Sequence, residues 1–184
     1  MAGLPHYRNS KASVNKYEPV YANLFEVNIL PPPGITGGAI LLEHVRSISG
    51  LNTEKGAEVV EQEYKFAQRS YANGRPTNTT VDLTINFSLN LDDSNGMYVY
   101  KTLRDWKRLI YNPLTGEEGL KKDYADARMV VSMFTRTGDI YWQRIFHDCF
   151  IVNDLPEMAL DYSTGDPLEM EIQIRSDYWT ENMS

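Results

Sequence analysis

From Val81 to Asn90 the chain reads VDLTINFSLN, an alternation without an exception. Val81, Leu83, Ile85, Phe87 and Leu89 point one way; Asp82, Thr84, Asn86, Ser88 and Asn90 point the other. A period of two places every apolar side chain on one side of an extended backbone, so the segment is a half-buried β-strand. Its second face is short, polar and nearly free of charge. The lysines and glutamates that usually solubilise an exposed sheet are missing, which raises the question of what this face looks at.

The same period recurs near the end of the chain. Leu168, Met170, Ile172 and Ile174 alternate with Glu169, Glu171, Gln173 and Arg175, predicting a last strand that ends in Asp177-Tyr178-Trp179. Further strands are expected over 23–30, stopped by Pro31-Pro32-Pro33-Gly34, and over 40–48. Two more, over 127–135 and 140–152, are joined by the Arg136-Thr137-Gly138-Asp139 turn. Residues 57–70 alternate loosely and predict a long strand or projecting hairpin ahead of the Asn73-Gly74 turn signal.

One helix is expected, over 94–111, with Asp92 and Asp93 as cap candidates. Val99, Leu103, Trp106 and Ile110 form its apolar stripe. Lys101, Arg104, Asp105 and Arg108 fill the other face, where Asp105 stands four residues from Lys101 and is placed to pair with it. About seven strands with one packed helix predict a mainly β protein, a β-sandwich or partly open barrel. Residues 1–21 lack periodicity and read as an extended N-terminal arm before one domain over 22–184.

Composition limits the partners. Eighteen basic against 25 acidic residues leave a net charge of −7, so the chain as a whole repels nucleic acid and anionic membranes. The single cysteine, Cys149, excludes an internal disulfide framework. No apolar run approaches the roughly 20 residues of a membrane helix, and MAGLPHYRNSK has no apolar leader core. A soluble protein made in a reducing cytosol is expected, for which the glycosylation-like triplets at Asn78, Asn86 and Asn182 carry no meaning.

Few residue groups suit catalysis. His147-Asp148-Cys149 has the residue types of a nucleophile with its base or of a metal site, but neighbours in a strand face opposite ways, leaving only His147 and Cys149 together. Glu61 with Glu63, and Glu169 with Glu171, could supply the paired carboxylates of a glycosidase, although a solvated face is the simpler reading of each. The basic helix face reads as solvated surface or protein contact rather than a phosphate site. Asp92-Asp93-Ser94-Asn95-Gly96 lacks the spacing of a calcium loop. No nucleotide, zinc-protease or redox motif is present, and no cofactor is expected. Exposed aromatics such as Tyr64, Tyr71 and Tyr178 suit contact with other proteins.

In order, several landmarks resemble the tail tube proteins of contractile-tailed bacteriophages and related injection machines. They are Asn23-Leu24-Phe25-Glu26-Val27, Ser47-Ile48-Ser49-Gly50-Leu51, Glu63-Tyr64, Val81-Asp82-Leu83-Thr84-Ile85, Leu103-Arg104-Asp105-Trp106, Ala127-Arg128-Met129-Val130-Val131, Leu155-Pro156 and Met170 through Trp179. The resemblance covers residues 22–179; the arm and the stretch 31–38 are longer than the family's compact form. It implies a non-enzymatic subunit of hexameric rings stacked into a hollow tube, with sheets joined edge to edge around the lumen. Asp82, Thr84, Asn86, Ser88, Glu169, Glu171, Gln173 and Arg175 would line a channel for DNA, Arg175 pairing with a neighbouring acid. Lys101, Arg104, Asp105 and Arg108 would face the sheath, and Glu61, Glu63, Tyr64, Tyr71 and Arg75 would stack ring on ring.

Implied partners are further copies of the chain, a tail sheath protein, a baseplate tube initiator, a tape measure protein and a tail terminator. DNA would pass without specific binding, no membrane is involved, and the location is a virion tail assembled in the host cytoplasm. The same residues leave room for a baseplate hub or tube initiator, a secreted ring protein of an injection system, or a carbohydrate-active β-sandwich using Glu61/Glu63 or Glu169/Glu171.

Overall fold

The period-two stretches build two four-stranded antiparallel sheets with the core between them. The structure, a computed structural model, describes residues 20–51, 58–73, 80–91, 96–156, 161, 163 and 165–183. In chain order the elements are β1 (Phe25–Leu30), α1 (Gly38–His44), β2 (Val45–Ser49), β3 (Glu58–Tyr64), β4 (Ala67–Asn73), β5 (Val81–Ser88), α2 (Tyr98–Ile110), β6 (Tyr111–Asn112), β7 (Glu117–Glu118), α3 (Lys121–Tyr124), β8 (Arg128–Phe134), β9 (Ile140–His147), β10 (Phe150–Ile151), β11 (Glu169–Ser176) and β12 (Tyr178–Met183). The first sheet runs β1-β8-β9-β12 and the second β10-β11-β5-β2; β3 with β4 and β6 with β7 form separate two-stranded ribbons. The mainly β fold is as expected, with more strands and helices than the seven and one read from the sequence.

Alternation becomes burial where it was clearest. Val81, Leu83, Ile85 and Phe87 of β5 are buried against Met170, Ile172 and Ile174 of β11 and against Val27, Ile29, Met129, Val131 and Phe146 of the first sheet. Leu89 falls past the end of β5 and is partly buried; its N–H donates to the Leu168 carbonyl at 2.9 Å.

The expected strand over 140–152 is broken, and the break joins the two sheets. Asp148 adopts a left-handed conformation with φ 53°, so β9 ends in the first sheet and β10 begins in the second. The neighbouring strand turns the same corner. The chain does not stop at Trp179: it passes from β11 of the second sheet through Asp177 into β12 of the first. Ser176 Oγ lies 2.7 and 2.8 Å from the carbonyls of His147 and Tyr178 and donates into the corner, and Asp177 N–H reaches the His147 carbonyl at 3.3 Å. A bent two-stranded ribbon is therefore shared by both sheets.

A second correction concerns residues 40–48. Only Val45–Ser49 is strand, and Gly38–His44 is helix. A short apolar run does not distinguish the two by period. Here Gly37 at φ 136° and Gly38, whose Cα lies so close to the Ile29 carbonyl that a Cβ would overlap it, let the chain fold back on β1 and bury Leu41.

The helix α2 starts at Tyr98, after Met97, which makes no side-chain cap bond; Asp92, Asp93 and Ser94 lie outside the described residues. Val99, Leu103 and Trp106 are buried as expected and Ile110 half-buried, with Thr102 added to the stripe. Side-chain bonds fasten the helix, among them Thr102 Oγ1 to the Thr36 carbonyl at 3.5 Å, Trp106 Nε1 to the Tyr124 carbonyl at 2.9 Å and Lys107 Nζ to the Val152 and Asn153 carbonyls at 3.5 and 2.9 Å.

Elsewhere the interior is closed by charge. Arg144, whose side chain is 8% exposed, lies 4.1 Å from the Trp179 ring and 5.1 Å from that of Trp142, with Nη2 on Glu181 at 2.7 Å. It also donates to the Leu51 carbonyl after β2, which ties the second sheet to the first.

Candidate assembly surfaces

On the outer face of the second sheet the register sets the eight expected wall residues side by side. Asp82 is opposite Arg175, Thr84 opposite Gln173, Asn86 opposite Glu171 and Ser88 opposite Glu169. On the far side of β5, Ser47 and Ser49 of β2 extend the same polar rows. The alternation that buries Leu83 and Ile85 is what delivers these side chains outward.

Charge on this face is mostly paired. Arg175 donates Nε and Nη2 to the two carboxylate oxygens of Asp82 at 2.6 and 2.8 Å, a bidentate fork that raises the Arg175 pKa further above its usual value. The expected acid partner of Arg175 is thus Asp82. Arg46, absent from the sequence-based list, reaches Glu169 from β2, and Asn86 Nδ2 donates to the other Glu169 oxygen at 2.9 Å. A register shift between Val45 and Ser47 at the β2–β5 pairing is what places Arg46 there, and no periodicity in the sequence marks it. Of the three carboxylates on this face, Glu171 makes no ion pair among the described residues.

The β3–β4 ribbon is exposed from Val59 to Ala72. Its turn is Lys65-Phe66, without glycine or asparagine, and Phe66 is 91% exposed; Gly74 and Arg75 lie outside the described residues. Val60 opposes Tyr71, Gln62 opposes Arg69 and Tyr64 opposes Ala67, so Val60, Tyr64 and Tyr71 share one face, with the two tyrosine hydroxyls 3.3 Å apart. Glu61 and Glu63 occupy the other face with Val59. The expected stacking group is therefore divided between an aromatic and an acidic side.

On α2, Lys101 is exposed and Arg104, Asp105 and Arg108 are half-buried. Asp105 is bound by Arg104 at 3.2 Å instead of by Lys101, because the adjacent guanidinium curls back along the helix; Arg104 also lies 6.0 Å from the Tyr100 ring.

The residues that suited catalysis do not converge. The Asp148 turn breaks the strand geometry assumed for His147-Asp148-Cys149: His147 stacks on Tyr178 at 4.6 Å, while Cys149 is buried and its thiol is pushed up to about 12, chiefly by desolvation. Glu169 is engaged by Arg46 and Asn86. A depression at the bent corner is lined by Lys121, Lys122, Asp126, Asp148 and Asp177, where the Asp177 carboxylate holds the Lys121 ammonium above its usual pKa. Among the described residues no group of three His, Cys, Asp or Glu could hold a metal ion.

No family model matches the sequence, and neither does any curated protein. Solved structures do match over nearly the whole chain. The tube-terminating cap of the anti-feeding prophage aligns with TM-score 0.62 at 11% identity, over 95% of this chain and 98% of the cap chain. A chain of the PVC sheath–tube complex, from an extracellular contractile injection system in its extended state, aligns with TM-score 0.58 at 14% identity, over 95% and 97%. The PVC sheath/tube terminator aligns with TM-score 0.57 at 13% identity, over 91% and 99%. At these identities the similarity is one of fold: this chain has a fold found in the parts of contractile injection systems.

Proposed function

We propose that the chain is a non-enzymatic structural subunit that forms hexameric rings and stacks them into the tube of a contractile tail or injection particle. The observation that carries this reading is the β3–β4 ribbon, exposed on both faces and differently built on each. An isolated two-stranded ribbon is marginal in water, and aromatic side chains displayed on one are expected to be covered by a partner. A second copy supplies such a partner in every ring, which stacking requires. The fold shared with the injection-system chains supports the same reading.

In this arrangement the polar rows of β5 and β11 line the lumen, DNA passes without specific binding, and Lys101, Arg104, Asp105 and Arg108 meet the sheath. A baseplate initiator starts the tube, a terminator ends it, and a tape measure protein occupies it during assembly in the host cytoplasm; the finished particle is a virion. The fold shared with the anti-feeding prophage cap favours one second reading, a tube-terminating ring that does not elongate.

Electron microscopy of the purified protein, alone and with a preassembled tube or baseplate as template, tests this. Rings that elongate are expected, and the double variant Tyr64→Ser, Tyr71→Ser is expected to form rings that stop growing. Rings that only cap an existing tube would select the terminator, and no rings under either condition would remove both readings.

A further inference from the structure

Three carboxylates, Asp82, Glu169 and Glu171, and two guanidiniums, Arg46 and Arg175, stand on the polar rows of the second sheet. On a face otherwise made of hydroxyls and amides, an open guanidinium fork is a ready phosphate ligand, because its paired N–H groups match two phosphate oxygens. The Arg175 fork is closed, and Arg46 is tied through Nη1 alone to one carboxylate oxygen. The Nε and Nη2 of Arg175 are taken by both oxygens of Asp82 at 2.6 and 2.8 Å, directly across the β5–β11 pairing. Arg46 spans from β2 over β5 to Glu169, whose second oxygen is held in place by Asn86 at 2.9 Å.

We propose that these two ion pairs are anion masks: they brace the three strands with arginine while setting a carboxylate against the charge of each guanidinium and closing the Arg175 fork, so that a nucleic-acid duplex can move along this face without being held. The inference rests on the reading of this face as a tube wall and adds the mechanism by which its cations are kept silent. The pairs are exposed, and exposed ion pairs exchange partners readily; what preserves the mask is a carboxylate fixed on the same sheet beside each guanidinium. The arrangement leaves one carboxylate in excess on each chain, at Glu171, so the masked face repels a polyanion weakly and evenly around a ring.

Binding of a labelled, sequence-neutral duplex DNA to assembled rings tests the proposal, with three chains compared. The wild type should not bind measurably above its background. Asp82→Asn with Glu169→Gln frees both guanidiniums and should gain at least about tenfold in affinity at low salt, a gain that disappears as salt rises. Adding Arg46→Gln and Arg175→Gln to that variant should return binding to the wild-type level, which separates unmasking from a general loosening of the sheet; the basic face of α2 is constant in all three. Rings of the unmasked variant that bind no better than wild type overturn the proposal, as does strong binding by the wild type itself. Failure of every chain to form rings would count against the tube reading alone, and the same comparison on unassembled chains then decides the mask: a salt-sensitive gain upholds it and no gain overturns it.

Discussion

Removing Glu181 should expose how the Arg144 corner is held. In Glu181→Ala the Arg144 guanidinium stays between Trp142 and Trp179 with its side chain 8% exposed, keeping the Leu51 carbonyl but losing the Glu181 carboxylate. Breaking a buried pair from one side costs about 3–5 kcal/mol. The Glu181 side chain is 19% exposed, so water can partly replace the lost carboxylate and the lower end, about 3 kcal/mol, applies. For a chain of this size that lowers Tm by about 6–12 °C. Replacing both partners, as Arg144→Met with Glu181→Leu, removes charge and counter-charge together and should leave stability within about 1 kcal/mol of wild type or above it.

The pH dependence has a definite sign. The hydrogen bond from Arg144, the largest influence, holds the Glu181 carboxyl below its usual range. A depressed folded pKa contributes stability above the unfolded value, near 4.3, and loses it as pH falls through the folded value. Thermal unfolding of the unassembled chain, followed by tryptophan fluorescence, should therefore separate wild type from Glu181→Gln at pH 7, and the gap should shrink as pH falls below the unfolded value and close once it is below the depressed folded one. Glu181→Ala within about 1 kcal/mol of wild type at pH 7, or a gap from Glu181→Gln that survives unchanged in strong acid, would refute the argument.

Two further outcomes follow from the bent corner. Cys149 is fully buried with its thiol at about 12, so a disulfide-exchange reagent should modify it only at the rate of unfolding, and fast labelling at neutral pH would contradict that burial. Asp148 holds φ 53°, which a β-branched residue resists, so Asp148→Val should cost about 1–2 kcal/mol in urea unfolding while Asp148→Asn stays near wild type. A well-tolerated valine would show that the left-handed turn is not what joins the sheets.

Legibility in the sequence followed the strength of local period. The strands β5 and β11, with eight polar side chains on one face, could be read because each strand repeats every second residue over its whole length. The buried stripe of α2 was readable for the same reason at a period of 3.6. The helix α1 was not, since a run as short as Ala39–Leu42 suits either structure until its contact with β1 decides. The division of the β3–β4 ribbon into aromatic and acidic sides also escaped, because it depends on which residues stand opposite one another across a turn that carries no glycine or asparagine.

By itself, then, the sequence determined the mainly β class, the faces of the long strands and the buried face of the long helix, since each is a local pattern that any core would sort into inside and outside. Only the tertiary structure decided that 140–152 and the end of the chain change sheets at Asp148 and Asp177, that Arg46 meets Glu169 from 123 positions away, and that Arg144 closes the interior beside Leu51. These features are set by partners distant along the chain, and the position of a distant partner is a property of the packed fold that no local period encodes.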